Sequence, residues 1–425
     1  MLTILRQTWA LLAGIALLML GHGLQGTLLG VRANLEAFPA AITGFVMSGY
    51  YIGLLLGSFS TPRLVSRVGH VRVFAALLSL GSTAILFHAL FIEPLAWFAM
   101  RLLTGYCFAG AFIVAESWLN GSATNETRGR LLSLYMVVQM GGLAAGQFLL
   151  NLADPKGFAL FMLVSVLISV ASVPMLLTAS PAPAVSSPRG IGLWELYRVS
   201  PLGVVGIVGV GVAHSGLYSM GPVFAAEEGL SVAAISVFMA AVILGGVVFQ
   251  VPIGRLSDRL DRRWVIVAAT LLTAVVALPP ALFPDLPRSS LFPGFFLVGG
   301  LSLPLYAVCV AHTNDFLSPE QMVGASSALI LGYGLGAAIG PTLTASAMQL
   351  AGPSGFPLFL ALVHGAIGLF AFYRMTRRPT VPAEERGPYI VLPAPSPVVT
   401  PLAQKSARAQ PEDQSIEPVA LADAG

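Results

Sequence analysis

His22 and His214 lie 192 residues apart, each inside a long apolar run, and Arg101 is the one formal charge well inside such a run. Imidazole titrates near pH 6.5, so a histidine away from bulk water can take up and release a proton. The arginine guanidinium keeps its charge and presents a planar fork of donors suited to an anion. If the runs are helical, Gln25 and Tyr218 share a face with the histidines, three and four residues further on. Five residues are therefore candidates for binding a solute or a proton: His22, Gln25, Arg101, His214 and Tyr218. Each has a structural alternative. Placing an arginine mid-helix costs roughly 2.5–3.5 kcal/mol, so Arg101 must face protein or water. It can do so by bonding carbonyls of the first apolar run. A lone histidine is commonly a satisfied packing residue, which is the reading for His88 and His364. No Asp or Glu lies in the middle of any run. The interior is expected to lack a carboxylate, and so to suit an anionic or neutral polar solute better than a cation.

Other chemistries are not written in the chain. Cys107 and Cys309 sit in separate apolar runs with no redox or metal-like spacing. No HExxH, paired catalytic carboxylates or serine dyad falls within the runs. The expectation is a protein that is not an enzyme and holds no metal or cofactor.

The elements that position these residues must suit lipid. Of 425 residues, 56% are hydrophobic and 10% charged, and the mean hydropathy is +0.83. Soluble globular chains carry roughly 25% charged residues. A soluble enzyme, an acidic solvating protein and a nucleic-acid binder are excluded as readings of the whole chain. Twelve apolar runs approach the 20 or so residues that a membrane helix needs. They begin with Trp9–Leu29, Ala40–Ser60, Val71–Phe91, Pro94–Leu119, Arg130–Leu152 and Gly157–Ala179. They continue with Leu202–Ala225, Val232–Ile253, Trp264–Phe283, Leu291–His312, Val323–Leu350 and Phe356–Tyr373. Runs this long and continuous are not barrel strands, which alternate over about ten residues. Helices satisfy every backbone group in lipid. The first run lacks a cleavage site and reads as a retained span.

The fold class is thus an all-α membrane protein with twelve transmembrane helices. Residues 1–179 form a first half, 180–200 a linker, 201–374 a second half and 375–425 a tail of disordered composition. Within the linker, Ile191–Arg198 reads either as a short interfacial helix carrying Trp194 and Tyr197 or as a loop. Eighteen of the 22 Lys and Arg fall on one side of this topology. Basic residues mark the cytoplasmic face, so both termini are expected in the cytoplasm.

A repeat relates the halves. A shift of 192 places Gly14-Ile15 on Gly206-Ile207, His22 on His214, and Arg63-Leu64-Val65-Ser66-Arg67 on Arg255-Leu256-Ser257-Asp258-Arg259. A shift of 194 places Gly142, Ala144, Gly146 and Leu149 on Gly336, Ala338, Gly340 and Leu343. Parallel six-helix halves produce such a pattern.

Gly254-Arg255-Leu256-Ser257-Asp258-Arg259-Leu260-Asp261-Arg262-Arg263 resembles the G-x-L-x-D-R-x-G-R-R loop of the major facilitator superfamily, with Asp261 where glycine is usual. The first-half copy, Pro62–Arg72, has Ser66 where the family has aspartate. Arg101-Leu102-Leu103-Thr104-Gly105 resembles the R-x-x-x-G motif. Ala115-Glu116-Ser117, Thr127–Leu132, Ala311–Asp315 and Gly336–Pro341 resemble the YcaD-type bacterial transporters. The antiporter form of the fifth-span motif is absent, since Gly146 is followed by Gln147. The resemblance implies a substrate cavity between two pseudo-symmetric halves and alternating access, with or without proton coupling. It implies a gate latch drawn from Arg67, Arg72, Glu116, Asp258, Arg259 and Arg262, in which Glu116 pairs with Arg67 or Arg72 in one state. The expected partners are a small-molecule substrate, the lipid bilayer and protons, with no nucleic acid. A monomer in the bacterial inner membrane is expected. A membrane sensor or a lipid flippase on the same fold are the alternatives.

Overall fold

The computed structural model describes residues 2–121, 125–177, 191–283, 285–382, 386, 387 and 389. Among them there are fifteen α-helices and no strand. In order these are α1 (Leu2–Leu35), α2 (Ala40–Val68), α3 (His70–Leu90), α4 (Pro94–Gly121), α5 (Asn125–Phe148), α6 (Ala159–Leu176) and α7 (Leu193–Val199). Then follow α8 (Pro201–Glu227), α9 (Val232–Arg259), α10 (Arg262–Ala277), α11 (Pro279–Leu282), α12 (Leu291–Ser302), α13 (Leu305–Asn314), α14 (Pro319–Ala351) and α15 (Gly355–Met375).

Among the described residues, ten segments are long and apolar enough to cross a membrane, and Ala159–Pro174 is a shorter apolar helix. One of the ten, Gly324–Met375, contains most of α14 and all of α15, separated by a tight turn at Gly352–Ser354. The run expected over Leu291–His312 is broken into α12 and α13 at Leu303-Pro304. Proline lacks the amide hydrogen that would continue the ladder. Likewise α10 ends at Ala277, just before Pro279-Pro280.

Of the two readings of the linker, the helical one applies to Leu193–Val199. Leu196 is buried, Trp194 is exposed, and the rings of Trp194 and Tyr197 stack at 5.3 Å. Residues 178–190 lie outside the described ones.

Two helix pairs cross at glycines. A Cβ on Gly53 of α2 would overlap the Leu102 carbonyl oxygen, and one on Gly105 of α4 would overlap that of Tyr50. Gly245 of α9 meets the Phe296 carbonyl and Gly299 of α12 that of Val242 in the same manner. Gly53 and Gly245 are related by the 192 shift, and Gly105 and Gly299 by the 194 shift. Missing side chains let the backbones approach, which is how apolar helices pack where no hydrophobic drive separates them from lipid.

Helices before and after the linker meet mainly at the end away from the arginine-rich loops. There Gly30 packs on Pro222, Gly44 on Ala345 and Pro341, and Ser48 Oγ lies 2.9 Å from Thr342 Oγ1. Asn151 donates to Ser236 at 3.2 Å at the same end.

Candidate functional site

A cavity of about 200 Å³ lies among α1, α2, α4, α5, α8, α9, α13 and α14. His22, Arg101, His214 and Tyr218 all line it. Gln25 does not: it is fully buried elsewhere in the packing. The reason is helical phase. Met19, His22, Gly23, Gly26 and Thr27 are the α1 positions on the wall. At 3.6 residues per turn, Gln25 falls about 130° from the centre of that arc. The 192 shift pairs the walls faithfully, since Gly26 corresponds to Tyr218 and Thr27 to Ser219, all four lining the cavity.

Arg101 is seated by the glycine crossing. Tyr50 and Arg101 lie about one turn before Gly53 and Gly105, so the two side chains meet. The guanidinium carbon is 4.4 Å from the centre of the Tyr50 ring. A desolvated contact of this kind contributes about 2 kcal/mol. His22 stacks on Tyr50 at 5.4 Å and packs on Phe108 at 4.9 Å. Arg101 is buried, and its Nε and Nη1 have no hydrogen-bond partner among the described residues. They do not reach the α1 carbonyls that a purely structural role would use. Two nitrogens of a permanent cation are therefore without a hydrogen-bond partner among the described residues.

On the opposite wall, His214 Nε2 is 3.1 Å from the Ser302 carbonyl oxygen. A carbonyl only accepts, so Nε2 carries the hydrogen and Nδ1 is left as an acceptor. Ser302 Oγ is 2.7 Å from His364 Nε2, and His364 Nδ1 donates to the Leu360 carbonyl at 2.8 Å. His88 Nδ1 lies 2.9 Å from the Ala84 carbonyl. Both of these histidines thus have local partners.

The expectation of a cavity without a carboxylate is corrected here. Glu116 is buried and lines the cavity. It accepts a 2.7 Å hydrogen bond from Tyr135, whose hydroxyl accepts one of 2.7 Å from Gln139. Along α4, fifteen residues separate Arg101 from Glu116, about 22 Å of helix rise. The cation and the carboxylate therefore occupy opposite ends of one wall.

Other lining residues went unmarked as candidates: Tyr50, Tyr51, Tyr306, Tyr333, Gln139 and Gln147. Gln139 and Tyr333 are related by the 194 shift, which is the signal that points to them. Gln147 donates to the Gly23 carbonyl at 3.1 Å and accepts from Thr27, joining α5 to α1.

The six latch candidates separate into two groups. Glu116 is buried, whereas Arg67 and Arg72 stand exposed at the arginine-rich face and pair with no acid among the described residues. Arg262 is buried and bonds Asp258 at 3.2 Å and Asp315 more closely, with the Ala311 carbonyl at 3.1 Å. Arg259 is exposed. The first residues of the segment read as tail join this network. Arg262 also donates to the Gly387 carbonyl, and Tyr389 N–H donates to Asp258 at 2.7 Å. Most residues beyond Pro382 lie outside the described ones.

The family model described as Major Facilitator Superfamily matches residues 9–248 and 224–412. The MFS-type transporter YcaD of Escherichia fergusonii is 30% identical over 349 residues, 81% of this chain and 89% of that protein. Among solved structures, the nucleoside transporter NupG aligns with a TM-score of 0.72 at 14% identity, over 87% of this chain and 98% of that one. A bacterial homologue of the lysosomal transporter Spinster aligns with a TM-score of 0.68 at 16% identity, over 96% and 98% of the two chains.

Proposed function

This chain belongs to the major facilitator superfamily, and from that premise we propose that it carries a small anionic or neutral polar solute across the membrane by alternating access. Arg101 is the observation that carries the reading: a buried, cavity-lining guanidinium with two unpartnered nitrogens. It supplies donors to an acidic or carbonyl group, while His214 Nδ1 supplies an acceptor for a hydroxyl or amine hydrogen. Two six-helix halves, residues 1–179 and 201–374, form the moving bodies. The ten apolar segments support this once Gly324–Met375 counts as two helices and α6 as a twelfth. The inter-half contacts at Gly30, Gly44 and Ser48 fit a state closed at the end away from the basic loops. Those loops hold most of the arginines, which fits a cytoplasmic location in the inner membrane.

Glu116 is the coupling candidate. Neutralising a carboxylate beside Tyr135 removes the reason to hold the α4–α5 contact, and in the other state Arg67 or Arg72 takes Tyr135's place. The test is solute flux into proteoliposomes across a solute library, with and without a proton gradient. Arg101→Gln should lower transport at least about tenfold, the value of one lost charge-assisted contact, while Arg101→Lys keeps a part of it. Glu116→Gln should abolish proton-driven accumulation and spare exchange. Transport of an organic cation abolished by Arg101→Ala would overturn the substrate reading. Absence of flux for every solute would favour a sensor.

A further inference from the structure

A second polar pocket lies away from the central cavity, at the arginine-rich face. Ser200, Pro201, Arg263, Phe316, Arg374 and Arg378 are among the residues that line it. Its charge is uneven. Arg263 is neutralised by Asp261, at 2.6 Å. Arg374 and Arg378 pair with no acid among the described residues. Arg378 is nonetheless positioned: its guanidinium sits 4.1 Å over the Phe316 ring and donates to the Val199 carbonyl at 2.7 Å. Arg263 in turn donates to the Arg378 carbonyl at 2.7 Å.

The floor of the pocket is the N-terminus of α8, a helix of 27 residues. Pro201 opens it without an amide hydrogen, the amides of Leu202 and Gly203 have no partner within the helix, and the helix dipole adds partial positive charge there. Ser200 occupies the N-cap position but makes no capping bond. It is 1% exposed, and its Oγ has no hydrogen-bond partner. A buried hydroxyl without a partner costs about 1–3 kcal/mol unless something fills the role. Two arginines without an acid partner, the first α8 amides and an unpartnered hydroxyl lie around one pocket. All of them favour a tetrahedral oxyanion.

The surroundings select its source. Trp264, Phe372 and Tyr373 at the same ends of α10 and α15 are about half exposed, and Trp194 more so. Large exposed rings flanking a basic pocket are what a headgroup-level belt looks like. We propose that this pocket binds the phosphate of an anionic phospholipid, with Arg374, Arg378 and the Ser200 hydroxyl as its donors. The site is independent of the transported solute.

The test is native mass spectrometry of the full-length protein released from mixed micelles of phosphatidylglycerol and phosphatidylcholine. Wild-type protein should retain phosphatidylglycerol selectively, and added inorganic phosphate should not displace it. Each near-surface arginine contributes a factor of about five, so Arg374→Gln with Arg378→Gln should weaken retention about twenty-five-fold. Arg377→Gln removes a cation that lies 5.2 Å over Tyr373 and does not line the pocket, and should change nothing. If the double variant does not fold, Ser200→Ala deletes one hydroxyl alone and should weaken retention about threefold to tenfold. Equal loss in Arg377→Gln would reduce the effect to general surface charge and overturn the site. Binding of inorganic phosphate without lipid retention would overturn the lipid. Retention of neither would overturn both.

Discussion

The two arginine-rich loops begin from one sequence and end in different physics. Under the 192 shift Ser66 corresponds to Asp258 and His70 to Arg262. In the second loop Arg262 is buried against Asp315 and also bonds the more exposed Asp258, and the chain after α15 meets both partners of this network. The Tyr389 ring lies where a Cβ on Gly254 would be, Gln250 donates to its hydroxyl at 2.8 Å, and Arg386 donates to the Leu260 carbonyl at 2.9 Å. In the first loop, Ser66 spends its hydroxyl on the Arg63 carbonyl at 2.9 Å, within its own turn. His70 packs against Trp118 at 6.0 Å. One loop is fastened by charge and the other by packing. If contacts at this face are released, the loop without a buried ion pair is the one expected to rearrange.

Removing Arg262 should break this contrast most strongly. Its loss leaves Asp315 buried without its counter-charge, which typically costs about 3–5 kcal/mol. Thermal unfolding of Arg262→Ala in detergent should show that loss, whereas His70→Ala should lose about 1 kcal/mol. The pH dependence has a definite sign. Burial holds the Asp315 carboxyl above the ordinary aspartate range, and the charge and hydrogen bond of Arg262 pull it partly back. A raised folded-state value means that ionising Asp315 favours the unfolded chain as pH rises through that value. Without Arg262 the value rises further. The deficit of Arg262→Ala should be widest near neutral pH and narrow as pH falls toward about 4, where a free aspartate is itself half protonated. A deficit independent of pH would mean that Arg262 acts through packing.

Much of this framework is legible in the chain. The apolar runs mark the helices, because length and continuity are what lipid demands. The 192-residue shift singles out His22 and His214, and both line the cavity. Arg101 stood out because its charge would be costly in lipid. What escaped depends on relations between helices. Glu116 lies three residues from the end of its expected run, a place that reads as water-facing by length alone. The cavity reaches it because Tyr135 and Gln139 of another helix stand beside it. Gln25 shares a helix with His22 but points out of phase with the wall, and phase is set by neighbours. The tyrosines of the wall fall in the hydrophobic share of the composition, so their type alone does not separate them from packing residues. Tyr389 follows no periodic pattern, since one ring inserted beside one glycine has no period.

A middle-sized effect is expected where the chain after α15 meets the second loop. Burial, reinforced by the nearby Asp258 charge, pushes the Tyr389 phenol above its ordinary range, so it stays neutral at physiological pH. Tyr389→Ala should therefore cost about 1–2 kcal/mol through lost packing and one hydrogen bond, with no pH dependence between 6 and 9. Gly254→Ala should imitate it, because its methyl group would overlap the Tyr389 ring. The pair tested together should cost little more than either alone, since both expel the same ring. Full additivity would show that the ring does not rest on Gly254.

The smallest effect should come from giving the first loop the acid it lacks. Ser66 is exposed, and Arg63, Arg67 and His70 lie three behind, one ahead and four ahead of it. Ser66→Asp restores the family residue and places a carboxylate within reach of Arg63, one turn back on α2, whereas Arg67 is adjacent and His70 opens α3 beyond Gly69. An exposed pair of this kind is worth about 0.3–0.5 kcal/mol, because water already solvates both charges and salt screens them. Thermal unfolding at low salt should show a gain of that size, and at high salt none. Arg262 differs because it and Asp315 are both buried, so the loss of either leaves a buried charge unpaired. A gain of several kcal/mol from Ser66→Asp would mean that the first loop closes around an acid as the second does. The contrast between the loops would then come down to that one side chain rather than to the burial around it.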